Sequence, residues 1–117
     1  MVHNYPDDSD GEVLAGLAAA GNDMNAPMII EFPVVFAAKA QAEKFAPLAA
    51  SRGFRVQLWE HEDDSDWDVI CAIEIVPTHA DVVRIQRELS EWAEPFDGNC
   101  EGWGTLGNTR GGQPDGQ

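Results

Sequence analysis

Three glycines, Gly102, Gly104 and Gly107, have the G-x-G-x-x-G spacing of a dinucleotide-binding loop. Such a loop holds a pyrophosphate because its third glycine opens a helix whose N-terminal amides point at the phosphates. The residues at 108–112 are Asn-Thr-Arg-Gly-Gly, which disfavour a helix. The sequence therefore predicts that no dinucleotide cofactor binds here.

Alternating carboxylates form a second candidate site. Asp64, Asp66 and Asp68 are spaced like the first ligands of a calcium loop. That loop requires glycine at its sixth position and glutamate at its twelfth. Val69 and Ile75 occupy these positions, so the pattern favours a solvated, charged turn over a metal site.

The histidines and cysteines also lack the spacing that chemistry requires. His3, His61 and His79 are scattered, and none is spaced with another as a ligand pair. Cys71 lies in an apolar run, which is typical of a small buried hydrophobic residue. If one strand separates Cys71 from Cys100, about 9–10 Å lies between them, beyond the roughly 7 Å that a disulfide tolerates. The sequence predicts two free thiols, no catalytic residue, no metal and no cofactor.

Composition limits the class of partner. The chain has 117 residues, of which 44% are hydrophobic, and 21 acidic residues outnumber 7 basic ones to give a formal net charge of −14. This length and hydrophobicity predict one folded domain. The charge repels nucleic acid but attracts a basic protein surface. The acidic residues 1–10 do not resemble a signal peptide, and no run approaches the roughly 20 apolar residues of a membrane span, so we expect a cytoplasmic protein.

The longest apolar run without glycine or proline, WDVICAIEIV at 67–76, is the element around which the fold is predicted. Its β-branched residues alternate between an apolar and a mixed face, which indicates a central strand. Similar patterns predict strands at 28–36, 54–59 and 99–103, helices at 37–52 and 78–96, and an N-terminal helix that begins with a Ser9–Glu12 capping box.

The order strand, helix, strand, strand, helix, strand predicts an α+β, ferredoxin-like two-layer sandwich with an extra N-terminal helix. Two right-handed crossovers give an antiparallel sheet of order 4-1-3-2 with both helices on one face. The second face stays exposed unless the N-terminal helix or another molecule covers it. Pro33 predicts a bulge or an unpaired edge in the first strand. We expect a flexible lead-in at 1–9, one domain at 10–106 and a disordered tail at 107–117.

A cluster of acidic residues at 60–68, flanked by two tryptophans, is the strongest candidate interaction site. Aromatic anchors beside an acidic rim are suited to a Lys- or Arg-rich partner. The alternative is an ordinary hairpin loop. Near the C-terminus, Trp103 either closes the core or is an exposed anchor. The residues predicted to bind a partner are Trp59, Glu60, Glu62, Asp63, Asp64, Asp66, Trp67, Glu101 and Trp103.

Several short motifs resemble those of one family. Residues 100–105, CEGWGT, are similar to the Tyr-Asp-Gly-Trp-Gly ending of the regulator of ribonuclease E activity B (RraB) family, although Cys-Glu replaces Tyr-Asp. The N-terminal segments DGEVL and GND, AASRGFRV at 49–56 and EIVPT at 74–78 also resemble it. The resemblance spans about residues 10–106.

That resemblance implies a ferredoxin-like domain without catalytic activity. It implies a protein that inhibits an RNA-processing endonuclease by binding the enzyme's protein scaffold, and so modulates RNA turnover. Scaffolds of this kind carry basic segments, which suit an acidic partner. The alternative interpretation is a ligand-sensing or dimerising module, in which the open sheet face and Trp59 or Trp103 line the interface.

Overall fold

The computed structural model describes residues 8–60, 66–100, 102–105 and 107–108. These residues form an α+β domain with one antiparallel sheet. The helices are α1 (Ser9–Ala19), α2 (Lys39–Ser51) and α3 (His79–Ala93), and a 3-10 turn follows at Glu94–Phe96. The strands are β1 (Met28–Phe36), β2 (Arg55–Glu60), β3 (Trp67–Ile75), β4 (Asn99–Cys100) and β5 (Gly104–Thr105). No helix in the described ranges is long and apolar enough to cross a membrane.

The sheet has the order β2-β3-β1-β4, and β5 also pairs with β1. The apolar run of β3 lies between β1 and β2, as the sequence predicted. It pairs with the whole of β1: Met28 lies opposite Ile75 at one end, and Phe36 lies opposite Trp67 at the other. The prediction of a single fourth strand at 99–103, as in a four-stranded ferredoxin-like sheet, was wrong. Two strands of two residues each, β4 and β5, take its place.

An irregularity at Pro33 explains why the edge is divided. Val34 pairs with Cys100, and Glu31 pairs with Gly104. Two residues of β1 therefore stand opposite three residues of the other segment, which is the count of a β-bulge. Proline has no amide proton to donate to a neighbouring strand, so an interruption of the strand pairing at Pro33 sacrifices no hydrogen bond from that residue. Among the described residues, Phe32 and Pro33 have no strand partner on this edge, so the predicted unpaired edge at Pro33 is confirmed.

One face of the sheet forms the hydrophobic core with the helices. The alternate residues of β1 from Met28 to Phe36 are buried, and they pack against apolar residues of α2 and α3. In α3, Val82, Ile85 and Leu89 are buried at helical spacing. Burying a large apolar side chain contributes roughly 1.5–3 kcal/mol, so each of the large side chains in this interface stabilises the fold.

Helix α1 packs against α3, with Leu14 fully buried. It therefore lies on the helical side of the sheet and leaves the other face uncovered. The predicted Ser9 cap was wrong, because Asp8 is the N-cap and its Oδ1 accepts a hydrogen bond of 2.7 Å from the Gly11 amide. Ser9, predicted to end the lead-in, is the first helical residue.

Contacts also continue past the predicted domain limit at residue 106. The Asn108 amide donates to Asn22 Oδ1 at 2.8 Å, and the Asp23 amide donates to Asn108 Oδ1 at 2.9 Å. These reciprocal bonds attach Asn108 to the turn that follows α1. Most of the predicted tail, 109–117, and the predicted lead-in at 1–7 lie outside the described residues.

Candidate protein-binding site

Among the described residues, the sheet face opposite the helices is not covered by a helix, and we call it the open sheet face. Strand register assigns to it the alternate residues that point away from the core: Ile29, Glu31, Pro33 and Val35 of β1, Asp68, Ile70, Ala72 and Glu74 of β3, and Arg55, Gln57 and Trp59 of β2. Ile29 is 44% exposed and Trp59 is 55% exposed. Ile29 and Trp59 lie at opposite ends of this face, and the half-buried Pro33, Val35, Ile70 and Ala72 lie between them. A contiguous apolar surface of this kind is a candidate interaction surface.

The two tryptophans that flank the acidic stretch lie on opposite faces of the sheet. Trp59 pairs with Asp68 on the open sheet face, whereas Trp67 pairs with Phe36 on the core side and is half-buried. Lys39 Nζ lies 5.3 Å from the centre of the Trp67 ring. Because the chain's own cation already contacts Trp67, Trp59 is the more accessible anchor of the two.

The acidic stretch begins and ends at the same end of the β2–β3 hairpin. Glu60 is exposed and pairs with Trp67, and Asp66, which precedes β3, is half-buried. The structure thus brings Trp59, Glu60, Asp66 and Trp67 to one end of the sheet. The other predicted residues of this cluster, Glu62, Asp63 and Asp64, lie outside the described residues, as does Glu101.

Trp103 lies at the opposite edge, beside β5. Its ring is half-buried against the core, and its Nε1 donates a hydrogen bond of 2.8 Å to Asp10 Oδ1. The other Asp10 oxygen accepts from Gln86 Nε2 at 3.3 Å, so Asp10 joins α1, α3 and the segment before β5. Three strand spacings, about 14 Å, separate this edge from β2. Trp103 therefore does not belong to the patch that contains Trp59.

A second carboxylate holds the start of α1 to α3. Asp8 Oδ2 lies 3.0 Å from His79 Nε2, and Asp8 Oδ1 accepts the capping bond from Gly11. The Gly11 amide, and after it the contact with His79, lower the pKa of the Asp8 carboxyl because both stabilise its charged form. This stabilisation is present above the carboxyl's ordinary pKa and is lost as pH falls through the lowered value.

Replacing Asp8 with alanine should lower the melting temperature by several degrees at pH 7, because both the cap and the contact with His79 disappear. Asp8→Asn, which retains the cap, should cost less. The gap between wild type and Asp8→Ala should narrow as pH falls below about 4. Thermal melts across pH measure this, and a gap that stays constant down to pH 2 would contradict it.

The comparison with protein-family models assigns the chain. The model of the family described as regulator of ribonuclease activity B (RraB) matches residues 7–105. The chain belongs to the RraB family. A search of curated proteins gives no match. The matched range contains all the helices and strands described above, together with the Asp8 and Asp10 contacts. The RraB family is defined by regulation of ribonuclease activity, which is a regulatory rather than a catalytic role.

The two cysteines of this RraB domain lie in different strands of the sheet. Both cysteines are thiols, as predicted. Cys71 and Cys100 lie on strands on either side of β1, opposite Phe32 and Val34. Burial, with a smaller contribution from Cys100, raises the pKa of the Cys71 thiol to about 12, which disfavours the reactive thiolate. Among the described residues, no group of three or more His, Cys, Asp or Glu could hold a metal ion.

The raised pKa of Cys71 predicts an alkaline loss of stability. The buried neutral thiol contributes fully to the free energy of unfolding at pH values below the pKa of an unfolded cysteine, about 8.5. This contribution to stability is lost as pH rises toward the pKa of Cys71 in the folded protein. The free energy of unfolding should therefore fall more steeply above pH 9 in wild type than in Cys71→Val. Urea titrations between pH 7 and 10.5 test this, and parallel curves for the two proteins would refute it.

One contact of this RraB domain was not predicted from sequence. Asp10, which was interpreted as part of a capping motif, accepts a hydrogen bond from the Trp103 indole. The open sheet face was predicted as the alternative interface, because the mixed faces of β1 and β3 meet when the two strands pair.

Proposed function

We propose that this RraB protein is a noncatalytic, acidic regulator that inhibits a ribonuclease E-type endonuclease by binding a basic segment of the enzyme. Such binding modulates RNA turnover through protein–protein contacts and requires no RNA contact by the regulator. The observation that carries the proposal is the family match over residues 7–105, joined with a formal net charge of −14. A surface of this charge attracts basic protein segments and repels RNA.

The end of the β2–β3 hairpin supports the proposal locally. Trp59 is 55% exposed at the start of the acidic stretch, and it pairs with Asp68 on the same face of the sheet. An exposed indole takes an Arg or Lys side chain through cation–π contact, and neighbouring carboxylates add charge-assisted hydrogen bonds. We propose Trp59, Glu60 and Asp66 as contact residues, together with Glu62, Asp63 and Asp64. Trp67, Glu101 and Trp103 are proposed as secondary contacts.

A ligand-sensing or dimerising role for the open sheet face is the second candidate, and the exposure of Ile29 supports it. Self-association is opposed by the net charge of −14, because two copies repel each other. We also propose a cytoplasmic location, which the two thiols support because reducing compartments keep cysteines reduced.

The test is binding to, and inhibition of, the purified ribonuclease E-type endonuclease of the same cell. Affinity should fall about tenfold or more between roughly 50 and 500 mM salt, since charges drive the contact. Trp59→Ala with Glu60→Gln should weaken both binding and inhibition, whereas Glu91→Gln on α3 should leave both unchanged. Absence of binding at low salt, or cleavage of RNA by the purified regulator itself, would contradict the proposal.

A further inference from the structure

We infer that the open sheet face is the docking surface for the partner, and that its occupant is an amphipathic protein segment with Lys or Arg beside apolar residues. This inference rests on the proposed function and adds the surface and the chemical class of the segment. It adds the sheet itself to the contact residues proposed at the acidic stretch, with Trp59 at the boundary between them.

Apolar side chains give this surface its affinity. The apolar residues of this face are the exposed Ile29 and the half-buried Pro33, Val35, Ile70 and Ala72, with Glu31 between Ile29 and Pro33. Trp59 on β2 lies diagonally from Ile70 and beside Asp68. From Ile29 to Val35 this surface extends about 20 Å along β1, which is the length of about 13 residues of an α-helix. One amphipathic segment of that length covers the patch.

Carboxylates among these residues define the charge of the occupant. Glu74 pairs with Ile29, and Glu31 pairs with Ala72, so each carboxylate stands next to an apolar side chain. Within the described residues, neither Glu31 nor Glu74 forms an ion pair. A second copy of this chain would bring the same carboxylates together, whereas Lys or Arg beside apolar residues complements the pattern.

A cavity of about 270 Å³ lies at one end of the open sheet face. It is lined by Ile29, Gly53, Arg55, Ala72, Ile73 and Glu74. Ile29 and Ala72 can pack an apolar side chain or the aliphatic stem of a basic one, and Glu74 attracts its charged head. The Arg55 guanidinium in the same lining repels that charge, so the cavity contributes mainly apolar packing.

The first test removes the apolar contacts. The probe is a synthetic helical peptide of about 14 residues with leucine on one face and lysine at both margins. Ile29→Ser with Ile70→Ser should weaken its binding about tenfold. Val13→Ser is the matched control, because Val13 and Ile29 are each 44% exposed but Val13 lies on α1. The control should bind like wild type, and equal binding by all three proteins would overturn the inference.

The second test reverses charge and does not depend on apolar packing. Glu31→Lys with Glu74→Lys should weaken the lysine peptide about tenfold and strengthen a peptide with glutamate in place of lysine. Glu12→Lys with Glu91→Lys changes the net charge equally on exposed helical positions, and it should have a much smaller effect. If both pairs behave alike, only net charge matters and the inference fails.

The same variants separate this inference from the proposed function. If the endonuclease binds wild type and the Ile29→Ser, Ile70→Ser variant equally, the docking surface is wrong while the proposed function stands. If the endonuclease does not bind wild type, the proposed function fails, and the peptide experiments alone decide the inference. Circular dichroism and thermal melts of each variant confirm that the fold is retained.

Discussion

Replacing Trp103 with alanine should lower the free energy of unfolding by about 3 kcal/mol, the lower end of the range for large aromatic truncations. The ring is half-buried against the core, so less area returns to water than from a fully buried tryptophan. The loss also includes the 2.8 Å hydrogen bond from Nε1 to Asp10, which fixes α1 to the rest of the domain. Urea denaturation measures this change directly.

Two further variants separate packing from hydrogen bonding. Trp103→Phe keeps an aromatic ring but removes the donor, and should cost about 1 kcal/mol for the lost bond, in addition to the smaller ring. In a double-mutant cycle, Asp10→Ala should couple to Trp103→Phe, since the two side chains are bonded. A loss below about 1 kcal/mol for Trp103→Ala would reject the structural role. Loss of endonuclease binding without loss of stability would instead identify Trp103 as an anchor.

Replacing Gly98 with alanine should lower the free energy of unfolding by about 2 kcal/mol through overpacking. A Cβ atom at this position would collide with the Phe36 ring. Phe36 is fully buried, and its ring centre lies 5.2 Å from that of Phe45, so the ring has little room to withdraw. Urea denaturation at neutral pH measures the effect.

Gly16→Ala provides the matched control. Gly16 lies within α1, and a Cβ atom there would meet nothing within 4 Å. Alanine is the better helix former, so this variant should gain about 0.5–1 kcal/mol. Effects of the same sign in the two variants would show that the contact with Phe36 does not determine the result.

The long elements could be predicted from sequence because their patterns are strong. The bounds of β1 and the start of β3 were predicted to the residue, since alternation and flanking loops define both. The stripe of Val82, Ile85 and Leu89 likewise identified α3. The alternation of side chains along each strand also predicts the sheet face on which each of these tryptophans lies. Trp59 follows the inward-pointing Leu58 and therefore points outward, whereas Trp67 lies two residues before the buried Val69 and therefore points to the core side.

Other features depend on tertiary contacts that no local pattern reports. A two-residue strand has no period, so the division of the fourth strand into β4 and β5 was not predictable from 99–105. Asp8 and Ser9 are both good N-caps, and the contact between Asp8 and His79, 71 positions apart in sequence, favours Asp8. The position of α1 was left open because its apolar stripe fits either side of the sheet.

The division of the edge at Pro33 has a consequence for behaviour at high concentration. An uninterrupted sheet edge invites further strands from other molecules, which is the first step of fibrillar aggregation. On this edge, β1 is covered by two short strands, β4 and β5, whose registers differ by one residue. The shift lies opposite Pro33, which has no amide proton to donate to a neighbouring strand. The edge is therefore a poor template for growth, and among the described strands β2 is the long edge, with Arg55 and Glu60 at its ends. This arrangement disfavours edge-to-edge polymerisation while the open sheet face keeps its mixture of apolar and charged side chains at the surface.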